Sequence, residues 1–372
     1  MEASRILALD IARGLAVFGM VIVHTLWMYA DKETQFNSML GTVVHFLGQE
    51  AVAFLMSMGI SLALSSRQLV STTIKRGALL VIAGYVLNIL KFIVPIAVFG
   101  TMPEAFINAY GWQSPLNASQ YLYLILTGDI LQMAGISLFV IAALRYFEVG
   151  KWWIFAVALV VIGLSSELRG LQPGIKGLNY VADLFFAENY NVYFPVFPWM
   201  GMILTGFALG KWFKELDSNL LSLFKVTWIP SVILLLLSSF AVYQNSSYHF
   251  NDYFHLGPAG TLLIMAGNWL FFMFLYYIAD SMNHHLRYFL VYCSQNVTTI
   301  YVIQWTAICW IMGIVGFQTL NTYETMAMMV VNVIVTFSLQ ALLDKFVLSK
   351  ARLKKKSSAT QVTRKATAVS HS

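Results

Sequence analysis

Apolar runs long enough to cross a lipid bilayer recur along nearly the whole of this chain, and no water-facing fold accommodates so many. Crossing about 30 Å of hydrocarbon at 1.5 Å per residue takes roughly 17 to 25 residues, and about ten stretches qualify. They run from 12 to 30, 41 to 64, 77 to 99, 121 to 146, 152 to 167, 193 to 212, 226 to 243, 259 to 279, 289 to 312 and 325 to 348. The fifth is the shortest and ends in Glu167. Of the 372 residues 59% are hydrophobic and 11% charged, whereas a soluble domain carries about 25% charge. Backbone polar groups in hydrocarbon must be satisfied within the chain, so the expected class is all-α: a polytopic bundle of about ten transmembrane helices.

Lys and Arg total 23 against 17 Asp and Glu, a net +6. In such a chain this excess records orientation and attraction to anionic lipid, and it excludes a nucleic-acid enzyme. With the N-terminus in the cytoplasm, the cytoplasmic segments collect Arg5, Arg13, Arg67, Lys75, Arg76, Arg145, Lys151, Lys211, Lys214, Lys225, Arg287 and the tail. The outer loops hold Lys32, Arg169 and Lys176. The split predicts both ends inside and a location in the cell membrane. The expected division is a membrane domain over 1–349 and a basic tail over 350–372, with too little apolar surface to fold. The first run lacks a small-residue cleavage site and is read as a retained helix.

A charge at the bilayer centre costs a few kcal/mol on insertion scales, so ionisable residues within these runs are functional candidates. They fall in one layer. At 1.5 Å per residue His45 lies about 6 Å below the outer surface, and His24, Glu50, Lys91 and Asp129 about 9 to 14 Å below it. The amides Asn88, Asn268, Gln304 and Asn332 reach about 11 to 17 Å, an arrangement suited to a hydrated cavity open to the outside. Any single amide serves equally well to join two helices, and Lys91 alone is able to snorkel outward along its stem. Two histidines with two carboxylates are harder to explain that way. Imidazole titrates near neutrality, and a carboxylate fixes its tautomer and raises its basicity. His24, His45, Glu50 and Asp129 are therefore the candidate catalytic residues. No HExxH or similar spacing occurs, so no metal is expected.

At 100° per residue Arg13 and His24 differ by about 20° and Asp10 lies within about 60° of both, with about 16 Å between Arg13 and His24 along the axis. One face of the first helix thus joins the cytoplasmic mouth to the polar layer. Asp10 and Arg13 also have the spacing of a simple i, i+3 pair.

The opening RILALDIARGLAVFGMVIVH resembles the first-helix signature of the multi-pass membrane acyltransferases. That superfamily includes the acyltransferase-3 proteins and the heparan-alpha-glucosaminide N-acetyltransferase-like proteins. VVHFLGQEAVAFLMSMGISLALSSR resembles their second helix, FPVFPWMGMILTGFALGKW a mid-chain helix, and YCSQNVTTIYVIQW a late one. The resemblance implies transfer of an acyl group from a cytoplasmic donor, usually acetyl-CoA, to a sugar, glycan or lipid-linked acceptor on the far side. It implies a donor-binding role for Asp10 and Arg13 and a catalytic one for His24, while His45 matches a histidine of some relatives. The family's late histidine is Gln304 here, which is no proton acceptor at neutral pH.

In the enzyme reading His24 is the base, oriented by Glu50 or Asp129, and Arg13, Arg67, Lys75 and Arg76 meet the donor's phosphates. A proton-coupled transporter uses the same polar layer as a relay, and a non-catalytic membrane protein of this fold is the third reading. The outer loops at 100–120, 168–192 and 244–258 are expected to select the acceptor, with Tyr110, Trp112, Tyr180 and Tyr190 as stacking or anchoring groups.

Overall fold

The computed structural model describes residues 6–65, 69–175, 177–250 and 252–348. Arg67 and the tail from 350 to 372 lie outside the described residues, as does the side chain of Glu50. Among the described residues all regular structure is helical. Helix α1 spans Leu7–Tyr29. Helix α2, Met39–Leu47, passes through a 3-10 turn at Gly48–Glu50 into α3, Ala51–Leu64. Helix α4, Val70–Asn88, continues as a π-helix over Ile89–Val98. Next come α5, Ala118–Leu126, α6, Ile130–Tyr146, α7, Lys151–Gly163, and α8, Leu178–Phe186. They are followed by α9, Val196–Glu215, α10, Leu220–Gln244, and α11, Pro258–Ile278. Helices α12, His284–Gln295, and α13, Val297–Val315, meet at Asn296, and α14 is Thr322–Leu343. Short helical turns occupy the loops. We call the end of the bundle at which α1 begins the inner end.

Seven stretches among the described residues are long and apolar enough to cross a membrane unaided: α1, α2 with α3, α4 with its π extension, α10, α11, α13 and α14. The other three expected crossings fall on the pair α5 and α6, on the short α7, and on α9, whose last turns carry Lys211 and Lys214. Helices α1 and α9 are the most enclosed, with Ile11, Val17, Trp199, Met202 and Ile203 fully buried. Helix α10 instead turns Ile229, Ile233, Leu236 and Phe240 outward, as a lipid-facing helix must.

Three local departures from the sequence reading matter. The run from 121 to 146 is two helices, interrupted at Thr127, Gly128 and Asp129, because Asp129 caps α6. Its carboxylate accepts from the Ile130 N–H (2.8 Å) and Gln132 returns a bond to the Asp129 N–H (3.2 Å), a capping box that starts a new helix. The run from 289 to 312 is likewise broken, at Asn296. The end of α4 takes π geometry around Pro95, whose missing N–H leaves the ordinary hydrogen-bond ladder one donor short.

Apolar surface offers little drive for helix association in lipid, so close backbone approach through small residues takes its place. Helices α3 and α9 do this reciprocally. A methyl group on Gly59 would strike the Ile203 carbonyl, and one on Gly206 the Met56 carbonyl. Gly59→Ala is therefore expected to cost about 1–3 kcal/mol, read as a lower melting temperature in detergent. A variant as stable as the parent would show that these helices have room to part.

Candidate functional site

Four elements converge on one buried cluster. Helix α1 supplies His24, the π segment of α4 supplies Lys91, the break between α5 and α6 supplies Asp129, and α13 supplies Tyr301, Gln304 and Trp305. The Lys91 ammonium lies 3.2 Å from Asp129 Oδ2, with side chains only 3% and 7% exposed. The same ammonium sits 4.4 Å from the centre of the Trp305 ring, and the His24 imidazole stacks on Trp305 at 4.1 Å and 27°. Trp27 and Tyr301 flank that imidazole at 5.5 and 6.2 Å. Asp129 also faces His24, Tyr301 and Tyr193. Nδ1 of His24 is buried without a hydrogen-bond partner.

Irregular backbone survives at membrane depth only where the protein satisfies it. Here Asn88 donates to the carbonyls of Ile125 (3.0 Å) and Thr127 (2.6 Å). The Gly128 N–H donates to the Asn191 carbonyl (2.8 Å), and the Tyr193 N–H to the Gly128 carbonyl (3.0 Å). The carboxylate of Asp129 is thus placed by a seam between the broken crossing and the segment before α9.

That segment is held in turn by the loop preceding α11. His255, itself buried, places Nδ1 2.6 Å from Asp252 Oδ2 and Nε2 3.1 Å from the Val192 carbonyl, while Trp199 donates to the Phe254 carbonyl (2.7 Å). The Phe254 ring meets Trp27, Tyr190 and Tyr193 at 5.5, 6.3 and 5.2 Å. Where an open hydrated cavity was expected, His24, Lys91 and Asp129 are buried, and the half-buried rings of Phe254 and Tyr193 pack beside Trp27 and Asp129. Of the expected stacking groups, Tyr110 and Trp112 stack on each other at 4.9 Å. Burial raises the Asp252 carboxyl, but hydrogen bonds from His255 and the Phe254 N–H outweigh it and hold the group below its ordinary carboxylate value. A carboxyl depressed by folding stabilises fully above its unfolded value and loses that contribution as pH falls through the folded one. Melting temperature should therefore fall more steeply for the parent than for Asp252→Asn between about pH 5 and 3. Equal slopes would mean that the Asp252–His255 pair adds nothing.

The other expected residues lie elsewhere. His45 stacks on Phe36 at 5.9 Å, apart from the His24 cluster. The 3-10 turn after it changes the rotation to about 120° per residue. Arg13 sits about 16 Å along α1 from His24, toward the inner end, and donates to Ser57 Oγ (3.2 Å), the Ser57 carbonyl (3.1 Å) and Ser61 Oγ (2.6 Å) on α3. Ser294 of α12 donates to Asp10 (2.7 Å) and accepts from Arg13 (3.5 Å). Lys75 and Arg76 are exposed on α4. Arg76 lies near Arg145, which donates to Thr73 (2.7 Å) and to the Leu62 carbonyl, and Lys211 and Lys214 border the same inner mouth. Sequence reading counted Arg145, Lys211 and Lys214 only as orientation signals, and a further signal for Asp129 was available in the Asp-x-x-Gln capping pattern.

The fold and the cluster define a polytopic helical membrane protein with a buried histidine, carboxylate and ammonium brought together and a basic mouth at one end. The family model for heparan-alpha-glucosaminide N-acetyltransferase, catalytic, matches residues 5–246. The chain belongs to that family. The match takes in His24, His45, Glu50, Asp129 and the inner basic residues, and ends before α11 and α13. No curated protein sequence matches the chain.

Proposed function

We propose that the protein moves an acyl group, in the first place acetyl, from coenzyme A at the inner, cytoplasmic face to a hydroxyl or amine of a sugar, glycan or lipid-linked acceptor at the outer face. Both termini are cytoplasmic in this reading, which the loop charges support. The observation that carries it is the buried, unpartnered Nδ1 of His24 beside the Lys91–Asp129 pair, in a chain of an acetyltransferase family. His24 takes the proton of the attacking hydroxyl or amine as the new bond to the acyl carbon forms. The carbonyl π pair moves onto oxygen; collapse of that oxyanion breaks the C–S bond, and His24 returns the proton to the departing thiolate. Asp129 orients the imidazole and Lys91 holds Asp129. Glu50 and His45 stand as further candidates on the second crossing. Asp10 positions Arg13, and Arg13, Arg67, Lys75 and Arg76 receive the donor's phosphates.

Incubating purified protein with radiolabelled acetyl-CoA tests the reading: label passed to a sugar, glycan or lipid supports it, and absence of transfer with proton-coupled uptake into vesicles favours a transporter. The broken α5–α6 crossing beside a buried ion pair is the feature that second reading would use. Arg13 is tied to serines on two other helices, so its removal also loosens the bundle. A cleaner donor-side variant is Lys75→Ala with Arg76→Ala, expected to weaken acetyl-CoA binding by roughly tenfold at unchanged melting temperature. Unchanged affinity would place the phosphates elsewhere.

A further inference from the structure

Several buried amides accompany the site, and their hydrogen bonding differs. Asn88 and Gln132 spend their amide N–H groups on the broken crossing, and Asn332 donates to Thr25 (2.9 Å). Gln304 is the one buried amide among the described residues with both Nε2 and Oε1 unpartnered, and it is fully enclosed. Leaving a buried polar group unmet costs stability. A chain that only needed to fill this volume would be more stable with leucine.

The position of this amide gives the cost a purpose. Tyr301, Gln304 and Trp305 stand at i, i+3 and i+4 of α13 and so share one face. Trp305 stacks on His24 with its Nε1 near the Tyr301 hydroxyl, and Gln304 approaches the imidazole, neither reaching hydrogen-bond geometry. Gln304 Nε2, Trp305 Nε1 and His24 Nδ1, none of which completes a hydrogen bond within the protein, therefore belong to neighbouring side chains around one imidazole. Acyl transfer needs this: a base for the attacking group, and N–H donors fixed where the carbonyl oxygen becomes negative.

We propose that Gln304 is a catalytic residue that donates from Nε2 to the thioester carbonyl oxygen as it becomes an oxyanion, with Trp305 Nε1 as the second donor. The inference rests on the acyl-transfer reading above. As the acceptor oxygen or nitrogen bonds to the acyl carbon, the displaced π pair localises on that oxygen against these two donors. When the pair returns, the C–S bond breaks and the thiolate leaves with the proton from His24. The site thus does without a late histidine. The base is supplied by α1, and α13 contributes neutral donors.

The test compares the parent with Gln304→Leu and Gln304→His, using [1-13C]acetyl-CoA as donor and glucosamine as a sugar-amine probe. Gln304→Leu is expected to lose about 10²–10³ in kcat, with KM and the pH profile unchanged and the melting temperature equal or higher. Gln304→His, which keeps an N–H donor, should recover part of the rate. Turnover within a few fold of the parent in Gln304→Leu overturns the proposal. So does a shifted pH profile or a lowered melting temperature, which would make Gln304 a positioning or structural group. A parent that transfers no label instead defeats the acyl-transfer reading itself. The carbonyl stretch of bound [1-13C]acetyl-CoA then decides the Gln304 question separately: a shift to lower wavenumber that disappears in Gln304→Leu supports donation, and identical spectra overturn it.

Discussion

Purified His24→Gln protein is expected to transfer acetyl label at a rate lower by about 10² or more, while folding as the parent does. Glutamine keeps hydrogen-bonding capacity at the position and removes the nitrogen that titrates. The imidazole is held by ring contacts with Trp305, Trp27 and Tyr301 rather than by a hydrogen bond at Nδ1, so the stability cost is small. His45→Gln should have the smaller effect, since that ring stacks on Phe36 away from the cluster. Activity that survives His24→Gln and vanishes in His45→Gln would move the chemistry to α2. Activity surviving both would remove histidine from the mechanism.

The largest effect on stability is expected at Lys91. Replacing it by Met leaves the Asp129 carboxylate enclosed with no ammonium beside it, and removing one partner of a buried pair costs about 3–5 kcal/mol. Adding Asp129→Asn should restore most of this, because asparagine also caps a helix and carries no charge. Thermal unfolding of the two single variants and the double closes the cycle. A Lys91→Met protein as stable as the double would show that the pair is not what holds the α4 π segment to the broken crossing. The restored double variant should remain poor in acyl transfer, since it lacks the carboxylate facing His24.

How far these features could be read in advance differs from residue to residue. The helical membrane class and seven of the long apolar helices were legible because apolar run length is a local property. His24 and Asp129 fell at similar depth for the same reason, and the structure brings them together. Lys91 was ambiguous: an isolated lysine near a helix end can snorkel, and only its juxtaposition with Asp129 and Trp305 settles its direction. Trp305 comes from a helix far along the chain, and no local pattern announces that pairing. The break at Thr127–Asp129 was hidden under its apolar neighbours, although the capping residues were in view. Around His24, the rings of Trp27, Tyr301 and Trp305 fill what depth counting alone pictured as an open basin.

The interrupted crossing also bears on how the chain is made. Gly128 finds its backbone partners at Asn191 and Tyr193, which emerge from the ribosome only after α7 and α8. At roughly 5–20 residues per second, a lag of about 60 residues leaves that seam open for several seconds. During this interval α5 and α6 hold unpaired backbone at hydrocarbon depth, which lipid does not tolerate. Insertion of the fourth crossing is therefore completed by later sequence. A nascent chain stopped before residue 191 should still present its 127–129 segment to water-soluble reagents, and one stopped beyond α9 should conceal it.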